Sequence, residues 1–297
     1  MKNIRLLFIV GICAFFILTV FITFMILYTQ SKSSKYEVNG VKIIFEPDLF
    51  PRLFLSDSIP TFLFPIEDPI EEIDRILRKN IPFYSLFYPA NIKIIPLPKE
   101  EIDRSLKTIN SAIKKYPPAS IRTNLKRIYV ADTLLLSDSV SGGTYSGDRI
   151  FLMNKGISGG YPDIFIERVF HAEFSSILLR NYKKNFNEIE WKKINPEGFQ
   201  YTENGAEAIR SGRDLIQFDY SLIKIGFLNE YSTTNIENEF NSFAGYMFTN
   251  NMTFWEIVDS NEKLRKKIDM VVGFYHKLDP LFTEGYFRNI EKHSSPQ

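Results

Sequence analysis

Apolar residues recur at helical spacing from Pro162 to Tyr182, where Ile164, Val169, Phe170, Phe174, Ile177 and Leu178 line a run free of glycine. Pro162 and Asp163 suit the start of that helix. The same period over Glu101 to Tyr116 sets Ile102, Leu106, Ile109 and Ile113 on one face, and Pro117-Pro118 reads as its stop. Further helices are predicted around Glu237 to Thr249 and from about Asn261 to Lys277, the latter ending near Asp279-Pro280. A period of two predicts strands. Tyr36 to Pro60 reads as one or two of them with Asn39-Gly40 as a hairpin turn. Lys126 to Asp132 is another, and Ser141 to Met153 is a glycine-rich turn feeding a strand with alternating Ile150 and Leu152. Between them, Pro65 to Pro98 mixes a short helix, Ile70 to Lys79, with extended pieces punctuated by proline.

The N-terminus has a pattern of its own. Lys2 and Arg5 precede an uncharged apolar run from Leu6 to Tyr28, which as a helix spans roughly 34 Å and covers a bilayer's hydrocarbon core. No small-x-small cleavage site follows closely, so the run reads as a signal anchor rather than a cleaved signal peptide. The expected organisation is a transmembrane helix over residues 1–28, a polar stalk over 29–35, and a soluble domain over 36–297. Lys2 and Arg5 place the short end in the cytoplasm and the domain on the exoplasmic side, periplasmic or extracellular, with the lipid bilayer as partner through residues 6–28.

Composition narrows the chemistry. At 297 residues the chain has room for one large domain or two small ones, and a net charge of +1 gives no electrostatic footprint for nucleic acid. Three histidines are few for a metalloenzyme. Cys13, the single cysteine, falls inside the apolar run, so the rest of the chain forms no intramolecular disulfide.

The helix from Pro162 holds the most informative stretch, VFHAEFSSILL. A zinc peptidase places H-E-x-x-H on such a helix, because two histidines four apart share a face and the glutamate beside the first acts as general base. Here the five residues are Ala172, Glu173, Phe174, Ser175 and Ser176. The glutamate is present and both imidazoles are gone, while His171 lies one residue early, about 100° around the helix.

Taken together, GGTYSGDRIFL, RVFHAEFSSILLRNY, NPEGFQY and GFLNEYSTTNIENEFNSFAGYMF resemble the putative zinc-binding metallopeptidases of the gluzincin-like type, over about Ile102 to Phe287. The resemblance implies an α+β, zincin-like fold: a helix, a small mixed sheet, the motif helix and C-terminal helices. It also implies roles. Glu173 matches the catalytic glutamate, here a vestigial general base, and Ala172 and Ser176 occupy the histidine positions. The downstream metal ligand matches Glu239 or Glu237, and the Gly142-Gly143-Thr144 stretch resembles the edge strand against which zincins pair an extended substrate.

Each residue also has a plainer reading. Glu173 fits a carboxylate held by hydrogen bonds on a partly buried helix. His171 fits a packed, hydrogen-bonded side chain as well as a displaced ligand, and Glu237 and Glu239 face alternate sides, so at most one points at any site. Ala172 offers no donor and Ser176 a poor one, so the expectation is no cofactor, with zinc only where a rebuilt site retains it. Three functions follow as alternatives: a tethered, catalytically degenerate domain that binds or scaffolds, with an extended peptide or protein in the old cleft; an active metallopeptidase whose rebuilt metal site uses His171, Glu173 and Glu239 or Glu237; or a purely structural membrane-tethered domain.

Overall fold

The computed structural model describes residues 36–45, 92–136, 139–202, 217–249 and 252–290. The chain divides into two compact units, one of Met1–Tyr36 with Pro47–Tyr84 and one of Glu37–Glu46 with Ser85–Gln297. The described residues belong almost entirely to the second.

Seven strands form a single mixed sheet: β1 (Tyr36–Val38), β2 (Val41–Ile44), β3 (Ile92–Pro96), β4 (Arg127–Leu136), β5 (Ser139–Val140), β6 (Gly143–Ser146) and β7 (Arg149–Met153). The order is β1-β2-β4-β7-β6, with β3 and β5 also on β4. The first half of β4 lies parallel to both β2 and β7, and its second half is antiparallel to β3 and β5. β6 runs antiparallel to β7 and closes the described sheet on that side. Asn39 and Gly40 join β1 to β2 with φ of 50° and 81°, the left-handed pair that a two-residue hairpin turn needs and that Asn-Gly supplies at low cost.

Two helices begin the helical layer, α1 (Ile102–Lys114) and α2 (Pro118–Asn124). Pro118 thus begins a second helix as well as following the end of the first. Its missing N–H costs nothing at a first helical position. The long helix α3 (Asp163–Asn181) packs against the sheet, against α1 and against α6 (Ile236–Phe248), so nearly all its circumference is buried and no polar face remains. Arg104 fixes where α3 starts. Its guanidinium pairs with Asp163 at 2.7 Å and Glu101 at 2.5 Å and donates to the Tyr161 carbonyl. Gly245 lets α6 approach closely, since a Cβ there would lie 2.8 Å from Arg168 Cγ and 3.2 Å from its carbonyl oxygen.

The remaining helices are α4 (Glu188–Ile194), α5 (Tyr220–Ile223), α7 (Met252–Ser260), α8 (Glu262–Leu278) and α9 (Glu284–Arg288). Asn187, Asn235 and Asn261 cap α4, α6 and α8 through their side-chain oxygens. A cluster of stacked and edge-on rings, Tyr116, Phe170, Phe174, Phe248, Tyr275, Phe282 and Phe287, welds α1, α3, α6 and the C-terminal helices together.

The membrane expectations are corrected here. Among the described residues no helix is long and apolar enough to cross a membrane. The longest, α3, has 19 residues but carries Asp163, Glu167, Arg168, His171, Glu173 and Arg180; α8 carries Glu262, Lys263, Arg265, Lys266, Lys267, Asp269 and Lys277. The run Leu6 to Tyr28 lies outside the described residues, as do the stalk and the predicted helix at Ile70 to Lys79. The transmembrane helix, signal anchor, bilayer partner through residues 6–28, single-pass location and exoplasmic placement are therefore withdrawn from the fold and from the function. The architecture described is α+β.

Candidate functional site

The seam between α3 and α6 brings the motif residues together. Ala172 and Ser176 lie one turn apart on α3, both buried, and the residue facing them from α6 is Asn241. The Asn241 amide meets the hydroxyls of Ser175 at 2.5 Å and Ser176 at 2.7 Å. One amide orientation satisfies every neighbour: the NH2 group donates to the Ala172 and Glu237 carbonyls at 3.1 and 3.2 Å, and Oδ1 accepts from Ser176. Where a zincin places charged or imidazole ligands, this seam holds a methyl group, a hydroxyl and a neutral amide, bonded to one another.

Glu173 points the other way, toward β6. A Cβ on Gly143 would lie 3.3 Å from Glu173 Cγ and only 2.3 Å from Val169 Cγ1, so the missing side chain is what lets α3 come up beneath the strand. Two residues along, Tyr145 shares that face and gives a hydrogen bond to Glu237. Burial pushes the Glu173 carboxyl up to about 8, and the nearby Glu237 charge adds to the shift. Burial likewise pushes the Tyr145 phenol up to about 12, with Glu237 contributing next. Glu173 has no hydrogen bond or ion pair among the described residues. Arg180, about two helical turns further along α3, lies 5.6 Å from the centre of the Tyr145 ring and donates to the Gly147 carbonyl at 2.5 Å.

The ladder fixes what β6 shows at the edge away from β7. Met153 N–H donates to the Gly142 carbonyl at 2.9 Å, and the register pairs Thr144 with Phe151 and Ser146 with Arg149. In an antiparallel ladder the bonded pairs alternate, so the backbone groups of Gly143 and Tyr145 point away from β7. The Gly143 carbonyl takes the Ser141 hydroxyl at 2.7 Å. Thr144 presents its side chain to the face opposite α3. The strand Arg149–Met153 lies inside the sheet, with β6 outside it.

Glu239 and His171 lie elsewhere. Glu239 is fully buried and accepts from Trp191 Nε1 at 2.7 Å, from the Tyr201 hydroxyl at 2.6 Å and from the Lys267 ammonium, itself fully buried. Burial drives the Glu239 carboxyl up and the Lys267 ammonium down, and their mutual attraction opposes both. His171 is also fully buried. Its Nδ1 is 2.9 Å from the Tyr116 hydroxyl, its Nε2 3.5 Å from Glu167, and its ring stacks on Phe248. Burial lowers it to about 4, so the imidazole is neutral. Of the sequence candidates, the structure therefore gathers Glu173, Glu237, Gly142 and Gly143 in one place, turns the Thr144 side chain to the opposite face of β6, and sends His171 and Glu239 to separate buried networks.

Tyr145 and Asn241 are the residues that sequence reasoning missed. Each had a signal: Tyr145 is two positions beyond Gly143 on a strand, and Asn241 is four beyond Glu237 on a helix.

No family model matches this chain, and no curated protein does. Among solved structures the fold is similar to that of a putative zinc-binding metallo-peptidase from Bacteroides caccae, with a TM-score of 0.46 and 19% identity over 78% of this chain and 95% of that one. This is the kind of protein that the motif order resembles; at that score and identity the likeness carries no argument about activity. The residues present do not fit a zinc ion of that type. Ala172, Ser176 and Asn241 offer no anionic or imidazole donor, and among the described residues no group of three or more His, Cys, Asp and Glu is placed to hold a metal. The chain is zincin-like in its motif order and lacks the donors of a classical H-E-x-x-H enzyme.

Proposed function

We propose that this domain binds an extended polypeptide along the edge of β6 that pairs with no strand among the described residues, above Glu173, without the zinc-dependent hydrolysis of an H-E-x-x-H enzyme. The observation that carries the reading is the β6 edge itself. Its Gly143 and Tyr145 backbone groups face away from β7, and α3 closes up beneath it because Gly143 has no side chain. A peptide adding as a strand there gains main-chain hydrogen bonds from the edge and side-chain contacts from Glu173 of α3 and Glu237 of α6 on the same side. Glu173 serves as a carboxylate beside the bound strand in this reading. With no donor set beside it, no activated water is assigned to it.

A proline at position 145 tests the edge directly. Tyr145 N–H is not part of the β6–β7 ladder, so Tyr145→Pro removes an outward donor while leaving the pairing with β7 intact. Heptapeptides selected on the unmodified full chain are expected to lose binding to Tyr145→Pro and to keep it with Tyr145→Phe, measured by fluorescence polarisation. Equal binding to all three proteins would remove the β6 edge from the function.

A further inference from the structure

The α3 side of the β6 edge carries a chemical preference as well as main-chain groups, on the reading just given that β6 accepts an extended peptide. Side chains of a strand laid on β6 alternate, and every second one falls on the α3 side of the sheet, the side that Gly143 and Tyr145 face. Beneath that side lie two carboxylates from different helices, Glu173 on α3 and Glu237 on α6, close enough for the charge on one to act on the other. Glu237 accepts the Tyr145 phenol, while Glu173 has neither a hydrogen bond nor an ion pair among the described residues. The cation near them, Arg180, sits at the turn end of β6 with its guanidinium on the Gly147 carbonyl. Among the described residues no cation is set between the members of this acidic pair, which lies on the α3 side of the edge that β6 turns away from β7. That is the complement of a long basic side chain, whose methylenes pass the half-buried Tyr145 while its head reaches the carboxylates.

We infer that the peptide bound at β6 carries a lysine or arginine at one α3-facing position, with its cation seated between Glu173 and Glu237. Neighbouring residues two positions away fall on the same side but beyond the acidic pair, so the preference is confined to one position.

The test is a selection of displayed random heptapeptides on the full chain, followed by affinity measurements on synthetic peptides. The recovered sequences are expected to share a lysine or arginine at a single position. Replacing it with norleucine, which keeps the methylenes and removes the charge, is expected to weaken binding about tenfold. Glu173→Gln with Glu237→Gln is expected to weaken the lysine peptide by a similar factor and leave the norleucine peptide unchanged, with the near-ultraviolet circular dichroism spectrum retained. Peptides recovered without a fixed basic position, or a basic preference that survives the double glutamine variant, would overturn this proposal while leaving the β6 edge as a binding site. Recovery of no peptide at all would overturn the edge reading, and with it this one. Self-association of the chain in place of peptide capture would name a second copy as the occupant and count against both.

Discussion

Glu173 and His171 are two positions apart on one helix and have opposite responses to burial. Burial disfavours the charged form of each, so the carboxyl is pushed up to about 8 and the imidazole down to about 4. A carboxyl whose folded pKa lies above its ordinary 4.5 contributes stability that is complete below about 4.5 and is lost as the pH rises through about 8. Burial sets most of this, and the Glu237 charge on α6 raises it further. Glu173→Gln removes the titration. Relative to the unmodified chain, that variant should gain roughly 2 kcal/mol in unfolding free energy between pH 5 and pH 9, a figure discounted for partial solvent access. Urea titrations at the two pH values measure it, and a constant difference would mean that Glu173 titrates normally. For His171 the sign is reversed: its contribution is present above 6.5 and is lost as the pH falls through about 4.

At the scale of elements, the pairing of α3 with α6 decides which residues could ever meet. Positions 172, 176 and 241 face one another; positions 237 and 173 lie beside them at the β6 side; position 239 turns away toward α4 and α8. A zinc site rebuilt on this backbone accordingly needs Asn241 as its third ligand position rather than Glu239. Ala172→His, Ser176→His and Asn241→Glu together should give a protein whose melting midpoint rises with added zinc and falls with chelator. The same variant with Asn241 left in place should respond less. A triple variant that folds but shows no metal-linked stabilisation would refute this mapping of the seam.

At the scale of the whole molecule, Lys267 of α8 holds a fully buried ion pair with Glu239. Its ammonium meets Glu239, donates to the Gly226 carbonyl at 2.8 Å, and lies over the Phe227 ring at 4.1 Å. Trp191 of α4 and Tyr201 of the following loop close the other side of the carboxylate. Removing one charge strands the other in a dry site, so Lys267→Met should destabilise the fold by roughly 3–5 kcal/mol. Lys267→Met with Glu239→Gln should recover much of that loss, because the amide still accepts from Trp191 or Tyr201 and carries no charge. Equilibrium denaturation of the two variants decides the matter: a single variant that loses under about 1 kcal/mol would show that the pair is solvated.

Most of the elements could be read from the sequence because their physics is local. The period of apolar positions in 163–181 and 236–248, the Asn39-Gly40 turn and the alternation through Ile150 and Leu152 all act over a few residues. The loss of both imidazoles, Ala172 and Ser176 for histidine, was equally plain, since it depends only on residue identity. Other features were illegible for the opposite reason. Pro118 as a helix start, the closure of the described sheet by β6 outside β7, and the division of labour between Glu237 and Glu239 depend on what packs opposite each residue. Neighbours on a helix differ by about 100° in direction, so a single sequence offers both glutamates and leaves the choice to the partner surface. The sequence alone determined the α3 helix and its lost donors. Only the tertiary structure decided that Glu173 meets Glu237 and Tyr145 beneath a bare Gly143, because contacts across a seam are set by packing between elements distant in the chain.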